Sequence, residues 1–280
     1  MPAARSRCCT EPSCEINAQA PPASPGVQAF WVGPRYLAGD DGLLYERVAD
    51  TLTGLGWTGL TVVRGRRGPD EAAEDRQVLR STVLHISRDM LRWAQWVLAD
   101  EPFLFGELPV AWQVSAREDT SSPLAAWSAY FTPGIPGEIL GDFLAALHNR
   151  HQPTAASAGP ELVLDTLTTR SWLRDIDHPR FGAVDPMFTA CVSLGEVPPL
   201  IQDGDPRALT VAVGEAGPAG WQAWVEPALG APYLWAASFS AGVPHDLVAA
   251  FAASLASSAP VLRRVLPEST KDRLLRAPAD

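Results

Sequence analysis

Trp127-Ser-Ala-Tyr-Phe131-Thr-Pro-Gly134-Ile-Pro136-Gly-Glu138 returns 108 residues later (235 − 127) as Trp235-Ala-Ala-Ser-Phe239-Ser-Ala-Gly242-Val-Pro244-His-Asp246. The two passages align without a gap. The match runs on to Leu147 and Leu255, with 8 identities in 21 positions. Each reads as strand, turn and helix, with proline at the first helical position and Ile139, Leu140, Phe143, Leu144 and Leu147 forming one apolar face. Such an internal repeat predicts duplication of one unit, the copies packing together to bury apolar surface.

Outward from that passage, Trp112-Gln113 precedes Trp127 by 15 residues and Trp221-Gln222 precedes Trp235 by 14. Pro34-Arg35-Tyr36 matches Pro179-Arg180-Phe181 as the start of each copy. The starts differ by 145 (179 − 34) against 108 at the ends, so the second copy lacks about 37 residues, equivalent to one or two strands.

Within the first copy, Leu44, Val48, Leu52 and Leu55 form one stripe of a helix over about 41–55, stopped by Gly54 and Gly56. Strands are expected near 61–64, 78–86, 91–98, 110–116 and 127–132, and the helix over 136–148 closes the unit. Trp93 and Trp96 fall on opposite faces of the 91–98 strand, so one should pack under the helices while the other meets the second copy or a partner.

The fold class is α+β: two related units, each a small antiparallel sheet with helices packed on one face. The expected organisation is a disordered tail over 1–28, the first unit over 29–150 and a linker over 151–177 with a possible short helix at 161–172. A shortened second unit over 178–266 and a C-terminal tail over 267–280 follow. The 28 N-terminal residues carry too little apolar content to offset the entropy of ordering them.

The run Pro34-Arg35-Tyr36-Leu37-Ala38-Gly39, then Gly56-Trp57, Trp112, Trp127-x-x-x-Phe131, Pro136-x-Glu138 and Phe143, resembles the SPDY family, a domain of unknown function that often occurs in tandem copies. The resemblance covers about 30–150 well and 178–260 more weakly. It implies that Ser87-Arg88-Asp89-Met90 occupies the place of the family's namesake tetrapeptide, with Ser and Asp kept and the Pro and last residue changed. No equivalent is evident in the second copy. The family's capping hydroxyl before the last helix is replaced by Ile135 and Val243, while Pro136-x-Glu138 and Pro244-x-Asp246 remain. The resemblance implies no activity.

Composition narrows the function. A formal charge of −10 argues against a nucleic-acid binder, because the surface would repel phosphates; the basic run Arg64-Gly65-Arg66-Arg67 is answered by Asp70, Glu71, Glu74 and Asp75. No apolar stretch approaches the roughly 20 residues of a membrane span, and the N-terminus has no signal-peptide core, so a cytoplasmic location is expected. Cys8, Cys9 and Cys14 lack zinc-ligand spacing and read as reduced thiols, with Cys191 far away.

No catalytic, cofactor-binding or metal residue is nominated, and no cofactor is expected. There is no Gly-x-Ser-x-Gly elbow, phosphate loop or His-Glu-x-x-His. His85, His148, His151, His178 and His245 each fit a structural role. The acid pairs Asp40-Asp41 and Asp203-Asp205 lie in glycine-containing turns, where such acids are solvated. Arg35 and Arg180, shared by both copies, read as anion contacts or as arginines stacked on a neighbouring ring or paired with Asp40 or Asp185. The expected function is non-catalytic binding of a protein partner or small ligand, with neither nucleic acid nor membrane as partner. The alternative is a small hydrolase or transferase with its site between the copies.

Overall fold

The structure is a computed structural model that describes residues 28–66, 78–97, 104–105, 108–156, 158–195 and 220–279. The readings of the N-terminal tail with its three cysteines, of the acids at 70–75 and of Asp203-Asp205 lie outside these residues.

β1 (Phe30–Gly33) leads through one turn of 3-10 helix (Arg35–Leu37) to α1 (Leu44–Gly54). Then come β2 (Thr58–Arg66), β3 (Val78–Ile86), β4 (Arg92–Trp96), the short hairpin β5 (Leu104–Phe105) and β6 (Leu108–Pro109), β7 (Trp112–Ala116), β8 (Trp127–Phe131) and α2 (Gly137–His148). The second half runs α3 (Glu161–Thr168), β9 (Leu173–Arg174), β10 (Gly182–Val184), β11 (Ala190–Leu194), β12 (Trp221–Val225), β13 (Trp235–Phe239) and, in this numbering, α4 (His245–Leu255). β14 (Val261–Arg263) and β15 (Leu275–Pro278) flank β1 in a small separate sheet, so residues 267–279 form a turn and a strand where the sequence suggested a tail.

The fold is α+β, and the two sheets merge into one. Its ten antiparallel strands run β2-β3-β4-β7-β8-β13-β12-β11-β10-β9, with the last strand of each unit meeting at the centre. Side chains alternate along each strand, so one face collects Trp96, Trp112, Phe131, Phe239 and Trp221, and the described helices all pack there. Tyr45 of α1 meets Trp96 at 5.3 Å and Trp112 at 6.0 Å between ring centres. Trp96 thus packs under a helix, while Trp93 lies partly exposed on the opposite face.

The central pairing has the reciprocity of a two-fold axis. Ala129 pairs with Phe239, Phe131 with Ala237, and Tyr130 with its own counterpart Ser238. The hydrogen bonds obey the same exchange. Thr132 N–H donates to Ala236 O at 3.0 Å and Ser240 N–H to Ser128 O at 2.9 Å, while the Thr132 and Ser240 hydroxyls accept from Ala236 N–H and Ser128 N–H. Under α2 and α4, the buried rings of Phe131, Phe143, Phe239 and Phe251 form one cluster, each worth about 1.5–3 kcal/mol of burial.

Sheet order also corrects the repeat boundary. β9 to β13 correspond to β2, β3, β4, β7 and β8, so among the described residues the second unit keeps all five strands of the large sheet. Its first helix is α3, at the place given to a linker. Val163–Trp172 matches Val48–Trp57 with 6 identities in 10 positions. Leu52 O accepts from Trp57 N–H and Leu167 O from Trp172 N–H, and Gly56 and Ser171 share a positive φ. Pro179-Arg180, by contrast, sits between β9 and β10 with no helix after it. With offsets of 115 (172 − 57) and 108, the deficit is 7 residues, not 37.

Two further expectations shift. Pro136 and Pro244 are the caps one position before their helices, each with its carbonyl accepting the first helical bond. Ser87–Met90 does have a counterpart, Asp185–Phe188. In both turns the last residue has positive φ, Met90 at 58° and Phe188 at 55°, and the first side chain accepts from the backbone N–H five residues on. The equivalence is conformational, so shared residues do not reveal it.

Candidate ligand site at the seam between the units

The loop from Gly39 to Gly42 turns sharply between the 3-10 turn and α1. Gly39, Asp41 and Gly42 all have positive φ, 66°, 52° and 79°, a region open to glycine and tolerated by aspartate. Asp40 holds the turn: its Oδ1 accepts from Gly42 N–H at 2.9 Å and its Oδ2 from Gly134 N–H at 3.3 Å. Gly134 must be glycine twice over. Its φ is 86°, and a Cβ there would lie 2.7 Å from the Leu234 carbonyl oxygen. The two-fold counterpart Gly242 stands in the same relation to Ala126 O, at 2.8 Å.

Behind the loop lies a network of charges. Arg47 of α1 donates through Nη2 to Asp41 Oδ2 at 3.0 Å and through Nη1 to Glu138 Oε1 at 2.5 Å. Arg263 of β14, fully buried, donates to both Glu138 oxygens and through Nε to Gly39 O at 2.9 Å. Glu138 opens α2, where the helix dipole favours an acid. Burial alone would raise the Glu138 carboxyl, but hydrogen bonds and charge from Arg263, helped by Arg47, hold it below the ordinary range. At the related seam, Arg150 pairs with Asp246 at the start of α4.

Asp41 contradicts the expectation of solvated acids. Its side chain is 3% exposed, and Oδ1 has no hydrogen-bond partner among the described residues. Burial pushes its carboxyl up, more than Arg47 and Arg263 pull it down. Asp40, Asp41 and Glu138 therefore set three carboxylates against two guanidiniums. Beside them a hollow of about 360 Å³ opens between the Gly39–Gly42 loop, Gly134, Leu234 and the apolar run Val265–Pro267. Both units and the C-terminal segment contribute to it. A second hollow of about 610 Å³, by Glu118, Asp119 and Gln152, offers less, because Asp119 is already satisfied by Ser121 and Ser122.

The other polar residues singled out from sequence are dispersed. Arg35 Nη1 bridges Asp142 Oδ2 of α2 and Ser254 Oγ of α4 at 3.0 and 2.7 Å, pairing with neither Asp40 nor Asp185. Arg180 is exposed. Asp185 instead takes the Tyr36 hydroxyl at 3.0 Å and three backbone N–H groups. His148 Nδ1 accepts from Trp57 Nε1–H and His245 Nδ1 from Trp221 Nε1–H, while His151 and His178 are exposed. His85 is buried with both ring nitrogens unpartnered among the described residues. Burial, with help from Asp175, Glu226 and Asp185, pushes the Cys191 thiol up to about 12, so it is not an activated nucleophile. Among the described residues, no group of three His, Cys, Asp or Glu could hold a metal ion. Asp41 and Glu138 meet only through tertiary contacts 97 residues apart (138 − 41), a separation that local patterning does not bridge.

The family model of SPDY, a domain of unknown function (DUF317), matches residues 86–154 and 202–261. The two matches are consistent with tandem copies of that domain. The two matched segments hold the paired strands β8 and β13 and the helices α2 and α4, the part of each unit that the two-fold relates most closely. Neither a curated protein nor a solved structure gives a significant match. No helix among the described residues is long and apolar enough to cross a membrane.

Proposed function

We propose that this tandem SPDY protein is a non-catalytic binding protein of the cytoplasm that takes a small ligand at the seam between its two units. The observation carrying this reading is a hollow built jointly by both units and the C-terminal segment, beside a buried carboxylate oxygen with no partner among the described residues. Pockets at such junctions are common ligand sites. Catalysis has no part in the reading, since the histidines lie apart and the Cys191 thiol stays protonated. Nucleic acid is a poor ligand for a chain of net charge −10.

The test is capture of small molecules. The full chain and a Val265→Trp variant are incubated with a metabolite extract, and retained compounds are identified by mass spectrometry. Val265 is 61% exposed, so the larger ring blocks the hollow without disturbing the core. A compound held by the parent and lost from the variant supports the reading; retention unaffected by the ring overturns it.

A second reading, a protein-docking surface on the sheet face opposite the helices, is favoured by Trp93 and Trp224. Both are partly exposed there, and no described helix lies over them. Under it, replacing both tryptophans with serine abolishes partner capture and leaves small-molecule retention intact.

A further inference from the structure

Resting on the seam reading, we propose that the ligand is an uncharged, largely hydrocarbon molecule of single-ring size, seated between the Gly39–Gly42 loop and the run Val265–Pro267. The lining carries that choice. Leu234, Val265, Leu266 and Pro267 offer hydrocarbon, while Gly39, Gly42 and Gly134 offer backbone without side chains. At about 360 Å³ the hollow stands at the small end of ligand pockets, enough for one ring and a short substituent.

The charges around the hollow are already engaged within the protein. Asp41 is held by Arg47 through Oδ2, and its Oδ1 is sealed from solvent. Asp40 accepts from Gly42 N–H through Oδ1 and from Gly134 N–H through Oδ2, which ties its carboxylate to the two turns it joins. The guanidiniums of Arg47 and Arg263 donate to Asp41, Glu138 and the Gly39 carbonyl, and neither is among the residues that line the hollow. A bound carboxylate would give up water with no cation to replace it, beside the charge of Asp40. A bound ammonium would find the Asp40 oxygens already taking amide donors. Moving an ion into such surroundings costs far more than moving an uncharged group, whereas hydrocarbon against hydrocarbon is favourable.

The test titrates the full chain with cyclohexylmethanol, cyclohexylmethylammonium and cyclohexanecarboxylate, alike in shape and different in charge. Binding is followed by the amide resonances of Gly39, Gly42 and Gly134. The alcohol should shift these and saturate at millimolar concentration. Both ions should bind at least about tenfold more weakly. Val265→Trp, at a side chain 61% exposed, should abolish the shifts without unfolding the chain. Either ion binding as tightly as the alcohol overturns the uncharged inference while the seam remains a ligand site. No shift at the three glycines with any compound, or shifts that survive Val265→Trp, overturn both.

Discussion

Arg263 grips Glu138 with both terminal nitrogens, Nη1 to Oε1 at 2.7 Å and Nη2 to Oε2 at 2.6 Å, from a position with no solvent exposure. The pair joins the strand after the second unit's helix to the first turn of the first unit's helix. Removing one partner of a buried pair leaves the other uncompensated, so Arg263→Met should destabilise the fold by about 3 kcal/mol in urea denaturation. The pair also sets an acid limit. Glu138 has a folded-state pKa below its unfolded value, so its stabilisation is complete above the unfolded value and is lost as pH falls through the folded one. Arg263→Met should flatten that part of the acid profile.

Asp41 should behave in the opposite sense. Asp41→Asn removes a poorly compensated buried charge and places asparagine at a φ of 52°, which it tolerates well. We expect a gain of about 0.5–1 kcal/mol. Loss of stability in thermal unfolding would mean that the Arg47 contact outweighs the desolvation.

The reciprocal glycines give an internal control. Gly134→Ala and Gly242→Ala each bring a Cβ within 2.8 Å of a carbonyl oxygen, but only Gly134 also has positive φ. Both should lower stability, Gly134→Ala by about 1–2 kcal/mol more. Equal losses in denaturant would show that the backbone strain is absorbed.

His85 is buried and neutral, and burial holds its pKa below the ordinary value of 6.5. The unfolded chain therefore takes up a proton first. Stability is full above the unfolded value and declines as pH falls from there towards the folded value. His85→Leu removes two unpartnered nitrogens, so it should stabilise the protein and reduce the loss between about pH 7.5 and about pH 5.5. Some loss should persist, because burial lowers His245 as well.

Much of the fold was legible because the Trp127–Leu147 repeat is ungapped and its strand and helix periods are clear. The start of the second unit was not. Between Trp57 and Trp127 the spacing between copies changes from 115 to 108, so one offset cannot carry both matches, and the tripeptide Pro179-Arg180-Phe181 offered a false anchor. Val163–Trp172 was the signal that would have found it. The seam site was illegible for another reason: an acid in a glycine turn reads as solvated, and only the arrival of Arg47, Glu138 and Arg263 buries Asp41.

The pairing of Tyr130 with Ser238 at the two-fold has a consequence for descent. In a homodimer of separate chains, a residue on the axis meets its own copy, so any substitution there is made twice and two bulky rings would compete for one space. Covalent fusion of the two subunits removes that rule. Tyrosine can stand on one side and serine on the other, and Asp142 can face Ser254 where a symmetric ancestor would have had to repeat both. Joining two such halves frees a surface from the demands of its own rotated copy, and an asymmetric hollow lined by the Gly39–Gly42 loop and the C-terminal segment is what such freedom permits.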